Sequence, residues 1–311
     1  MIPTKIIATG ILFAQCAFGI AFGDELSDQI QITRSACSGI SNAMDNLKKM
    51  AGINTAVTAV GTVTGGVALG TGIAKTSVDS ELNALIEKVQ KLIDEKSKIP
   101  VEKIDVKNRS EFEQQLTEIS GSISSTNERI SELEQKSKTL GNIRTGTLAA
   151  TAVADTAGTI IAAKNKVDDD LQSRIDNCVT AVKRLSASRA SAQAAKTADA
   201  AEISKANPII GACRDWEYVN LTDINKKARG AAISSGTGAA LAIVGTITSA
   251  SANSDSTRQN DDKEKSLNTA SNVLAGGATG ASAVATIFNA TQISAIKKAV
   301  NIAEKCEGAL N

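Results

Sequence analysis

Residues Ala51–Ala74 read AGINTAVTAVGTVTGGVALGTGIA, with no charge, no proline and no aromatic residue. The stretch is built almost wholly from Gly, Ala, Thr and Val, and Thr145–Ala163, Gly230–Ser254 and Ser266–Ile296 share its composition. Its glycines each cost a helix interior roughly 1 kcal/mol against Ala. A helix here therefore needs a closely packed neighbour. Gly61/Gly65, Gly66/Gly70 and Gly276/Gly280 have the small-xxx-small spacing that lets two backbones approach, so these six are the expected packing positions.

The rest of the 311-residue chain supports an all-α reading. Aromatic residues make up 2% and proline occurs three times, which favours closely packed helices over a pocket shaped by bulky side chains. Asp24–Met50 carries Leu26, Ile30, Thr33, Cys37, Ile40, Met44 and Leu47 at helical steps, which predicts one helix. From Val78 the pattern changes. Val78, Leu82, Leu85, Val89 and Leu92 alternate steps of four and three, and Phe112 through Leu140 resumes the alternation after Pro100. Heptads on both sides of a short connection predict an antiparallel coiled-coil hairpin over 78–140, its tip at Ile99–Asn108. Val167–Asn207 reads as a polar helix running into an Ala/Ser/Lys-rich linker, closed by Asn207-Pro208.

The second half repeats the first. Lys48-Lys49 and Gly52 have counterparts in Lys226-Lys227 and Gly230, and Val60-Gly61-Thr62-Val63-Thr64 in Val244-Gly245-Thr246-Ile247-Thr248. Each half reads cysteine, polar helix, small-residue helix, connection, small-residue helix, polar helix, cysteine. The expected architecture is a duplicated four-helix unit, 24–207 and 208–311, with the hairpin inserted in the first half.

Met1–Gly23 reads as a secretory leader. Lys5 is its positive residue, Ile6–Ile20 its apolar run, and Ala21-Phe22-Gly23 a cleavage site before Asp24. Cleavage removes Cys16 and leaves Cys37, Cys178, Cys213 and Cys306, an even set expected to form two disulfides in an exported protein. The repeat predicts Cys37 with Cys178 and Cys213 with Cys306; three connectivities are formally open.

Charge and motifs exclude several functions. The formal charge of +1 vanishes with Lys5, so neither nucleic acid nor an anionic surface is expected as an electrostatic partner. There is no histidine, which removes the usual general base and the commonest metal ligand. No cysteine pair has zinc spacing and no phosphate-loop spacing occurs. Ser294-Ala295-Ile296-Lys297 lacks companion motifs, and Gly236-Thr237-Gly238 is a fragment of a dinucleotide fingerprint in a helical context. Asp155, the lone acid of its segment, is expected on a wet face, and Trp216 and Tyr218 at a helix junction. No enzyme, cofactor, metal or small-molecule substrate is expected.

Two functions remain. The first is an exported structural or interaction protein of the cell envelope or exterior, self-associating or binding a protein through its small-residue helices and hairpin. The alternative is a membrane-inserting or pore-forming protein. Met50–Ala74 is 25 residues and Ser266–Ile296 is 31 without charge, both above the ~20 that span a bilayer. Their many Thr, Ser and Asn residues make them poor constitutive spans.

Overall fold

The computed structural model describes residues 22–98, 109–196, 199–258 and 260–311. The leader, apart from its last two residues, and the hairpin tip at 99–108 lie outside the described residues. Among those described, all regular structure is helical: α1 (Phe22–Cys37), α2 (Ile40–Ser97), α3 (Arg109–Lys164), α4 (Asp169–Ala195), α5 (Ala200–Cys213), a 3₁₀ turn (Arg214–Tyr218), α6 (Leu221–Ala252), α7 (Asp255–Arg258) and α8 (Asp261–Leu310). The all-α expectation holds. No proline falls within α2, and it runs for 58 residues.

Two boundaries differ from those expected. The helix foreseen over Asp24–Met50 breaks at Ser38-Gly39, where Gly39 takes φ +69°, a conformation glycine adopts without a Cβ penalty. The other break precedes Pro208 rather than coinciding with it. Lys196, at φ +55°, ends α4, and Asp199 caps α5 by accepting from the Ala201 N–H at 3.3 Å. Pro208 sits inside α5.

The chain forms two compact units, each interleaved along the sequence: Met1–Ser41, Asp170–Tyr218 and Ile302–Asn311; and Asn42–Asp169 with Val219–Asn301. This division concerns packing and says nothing of the expected duplication at 207/208. The first unit buries Leu26, Ile30, Ile175, Val182, Leu185, Ile209 and Trp216. Disulfides Cys37–Cys178 and Cys213–Cys306 tie it, closing separations of 141 and 93 residues. Each such closure stabilises by roughly 2–4 kcal/mol. Trp216 is buried at this junction, whereas Tyr218 is 76% exposed.

The second unit is an up-and-down arrangement of α2, α3, α6 and α8. Thr64–Thr151, Thr145–Ser249, the Ser271 bond to Gly245 O and Asn54–Asn289 join sequential or first-and-last helices antiparallel. Asp155–Ser282 and Arg144–Asn268 join α3 and α8 across the middle. Beyond this part, 78–97 of α2 and 110–140 of α3 also run antiparallel, through Asp79–Ser137, Glu81–Arg129 and Lys96–Ser120. Leu82, Leu85, Val89 and Leu92 are half-buried there, and Thr126, Leu133 and Ser137 are buried.

Candidate functional site

The four small-residue segments turn inward with one stepping rule. From Ala51 to Lys75 of α2 the buried positions are Ala51, Asn54, Thr58, Gly61, Gly65, Ala68, Gly72 and Lys75. On α8 they are Asn268, Ser271, Ala275, Ala278, Ser282, Ala285, Asn289 and Gln292, and α3 and α6 follow the same alternation of three and four. A water-soluble helix places its large apolar residues on such a stripe. Here the stripe is mostly Gly, Ala, Ser, Thr, Asn and Gln, with Leu148 and Ile296 as large apolar exceptions. Most of the large apolar residues point outward: Val63 is 65% exposed, Val153 71%, Ile247 62%, Val273 70% and Ile287 63%. Each of the four helices holds an 18-residue window long and apolar enough to cross a membrane, and only 28–39% of each window is buried.

Asp155 lies at the centre of this interior and is fully buried, which overturns its expected place on a wet face. Gly61 of α2 and Gly238 of α6 make room for it. A Cβ on Gly61 would stand 2.5 Å from Asp155 Oδ1, and one on Gly238 would overlap Oδ2. Ser282 Oγ donates to Asp155 Oδ2 at 2.6 Å, while Oδ1 has no hydrogen-bond partner. One turn along α3, Gly158 opens space beside Ser235 Oγ and Asn54 Oδ1, which also lack partners.

Toward one end the interior stays polar. Thr286 Oγ1 donates to Thr58 Oγ1 at 3.2 Å, Asn289 Nδ2 donates to Thr58 Oγ1 at 3.2 Å, and Asn54 Nδ2 donates to Asn289 Oδ1 at 2.7 Å. Gln292 Nε2 then donates to the Asn165 carbonyl at 2.8 Å. Toward the other end, Leu148 packs with Ala68, Ala275 and Leu69 in an apolar layer. Past that layer is a charged cluster. Lys75, 1% exposed, donates to Asp79 Oδ2 at 2.7 Å and to Glu264 Oε1 at 2.6 Å. Arg144 donates to Asn268 Oδ1 and O at 3.2 and 3.0 Å, and Asn268 Nδ2 donates to Asp79 Oδ2 at 3.3 Å. Each cation therefore has acceptors, as burial requires.

The opposite end carries exposed basic residues on all four helices, Lys49, Lys164, Lys226, Arg229, Lys297 and Lys298, with Lys166 just past the end of α3. A balanced sequence total conceals this clustering, because the residues come from four distant segments. Asp45 lies among them, and its hydrogen bond from Lys49 holds its carboxyl below the ordinary value.

The expected packing glycines separate. Gly61 and Gly65 sit at close approaches, the latter against Thr279. Gly276 reaches only Leu69 Cδ1, at 4.0 Å, and nothing lies within 4 Å of a Cβ on Gly66, Gly70 or Gly280. The inward seam steps from 61 to 65, 68 and 72, which leaves Gly66 and Gly70 on the outer face. Gly72, Gly141, Gly158, Gly230 and Gly238 are further tight positions that small-xxx-small spacing missed. Gly236-Thr237-Gly238 lies within α6, and Ser294 to Lys297 within α8. No protein-family model, characterised protein or solved structure matches the chain.

Proposed function

We propose that this is an exported, non-enzymatic envelope protein whose second unit spans a lipid bilayer with four helices. The observation that carries this reading is the inverted bundle, with Ile and Val outward and Gly, Ser, Thr and Asn inward. In water those outward side chains are an exposed apolar belt, whereas in hydrocarbon they are solvated and small inward residues supply the packing. The lengths agree. Thr145–Ala163 is 19 residues and Ala51–Ala74 is 24, about 28 and 36 Å of helix against a hydrocarbon core of about 30 Å. Basic residues exposed at one end suit lipid headgroups, and the two disulfides suit an oxidising compartment.

Within this reading, the arm over 78–140 is an antiparallel coiled coil standing clear of the bilayer, available to a protein partner. The chain is a duplication in which Cys37–Cys178 closes the first half and Cys213–Cys306 the second. Self-association is the competing reading, since other copies would cover the same outward Ile and Val residues. Flotation of the oxidised protein with liposomes, beside its mass in detergent-free solution, separates the two. Co-flotation supports the membrane reading. A defined soluble oligomer that stays below the lipid removes it and leaves a self-associating scaffold.

A further inference from the structure

Asp155 is the one charged residue in the four small-residue segments, and it lies where the proposed bundle is deepest. Among the described residues no cationic side chain faces it. Gly61 of α2, Gly238 of α6 and Ser282 of α8 lie against it, and Asn54, Thr58 and Ser235 stand one turn away around Gly158, none of them titratable. A carboxylate held in a low-dielectric interior without a counter-charge is expensive, and intramembrane carboxylates that persist serve ions or protons. Ser282 supplies one hydrogen bond and leaves Oδ1 bare, so the remaining compensation has to come from solution.

We propose that Asp155 is a binding site for a monovalent counter-cation, a proton or a sodium ion, reached from the Asn165–Gln292 end of the bundle. The direction follows from the lining. From Asp155 toward Asn165, Thr58, Asn289 and Gln292 provide a polar group at each successive turn over about 15 Å. The opposite direction is closed by Leu148 with Ala68 and Ala275. The two buried unpartnered oxygens of Asn54 and Ser235 flank the polar side, where a passing cation or its water finds acceptors. The site rests on the membrane reading above.

The test uses the oxidised full-length chain floated with liposomes. Infrared spectra of the floated protein over a pH series, with and without sodium, read the carbonyl stretch of a protonated carboxyl. The expected band is present in the wild type and absent from Asp155→Asn, which keeps its helicity and still floats. Loss of the band with pH alone assigns a proton; loss on adding sodium at fixed pH assigns a competing sodium ion. Asn289→Leu slows deuterium exchange of that band about tenfold, and Ser249→Ala, beyond the Leu148 layer, leaves it unchanged. A band that survives Asp155→Asn overturns the site. So does its absence from the wild type at every pH together with a melting temperature insensitive to sodium. Equal slowing by both lining variants overturns the one-sided access. Failure to float sinks the membrane reading before any spectrum is taken.

Discussion

Helices α2 and α3 each obey two opposite packing rules in one unbroken stretch. Over 82–92, α2 turns Leu82, Leu85, Val89 and Leu92 inward and exposes Glu87, Lys88 and Lys91. Over 58–68 the same helix turns Thr58, Gly61, Gly65 and Ala68 inward and exposes Val60, Val63 and Val67. Backbone geometry and helical stepping are alike in both parts. What differs is the surroundings each outer face is made for. The arm suits water, with apolar residues in and charges out. The bundle suits hydrocarbon, where the outer face gains nothing from polarity and small residues hold the helices together. The changeover falls at the buried Lys75–Asp79–Glu264 cluster.

Charging the outer face of the bundle is the strongest way to break that contrast. Val63→Lys with Ile247→Lys should abolish liposome flotation, since each Lys near a helix centre costs about 2.5–3.5 kcal/mol in a bilayer. Ser122→Lys on the exposed side of the arm should leave flotation unchanged. At the changeover, Lys75→Met strands two carboxylates and should cost about 3–5 kcal/mol in a denaturant or thermal melt. Glycines sharpen the comparison further. Gly61→Ala drives a methyl group into Asp155 and should destabilise by about 1–3 kcal/mol. Gly66→Ala, one face away in open space, should stabilise by about 0.5–1 kcal/mol. The smallest effect belongs to the arm: Arg129→Ala removes solvent-screened ion pairs to Glu81 and Glu132 and should leave the same melt almost unchanged.

The helical class, the small-residue segments and both disulfides were legible in the sequence. Scarce proline, abundant Ala and an even set of four cysteines after the leader are local or countable signals. The inward face was not legible. Phase is normally read by assuming that the largest apolar residue points in, and Val60, Val63 and Val67 point out. The spacing of Gly66 and Gly70 carries no phase either, because glycine fits either face and only a neighbour decides. Asp155 was assigned to water on the same assumption, although two glycines 94 residues before it and 83 after it build its niche. No sequence window contains all three. The basic end of the bundle was hidden likewise, since a total near zero says nothing about where four distant segments meet. Breaks at Gly39 and Lys196 depend on positive φ, for which the first at least carried the glycine as a signal.

The most direct test of the inverted bundle is photolabelling of the liposome-bound protein with a lipid-soluble carbene precursor, read residue by residue by mass spectrometry. The expected adducts fall on outward residues such as Val63, Val153, Ile247, Val273 and Ile287, and spare the arm over 78–97 and 110–140. Adducts spread evenly over arm and bundle, or none on those outward residues in protein that floats, would contradict a lipid-facing bundle.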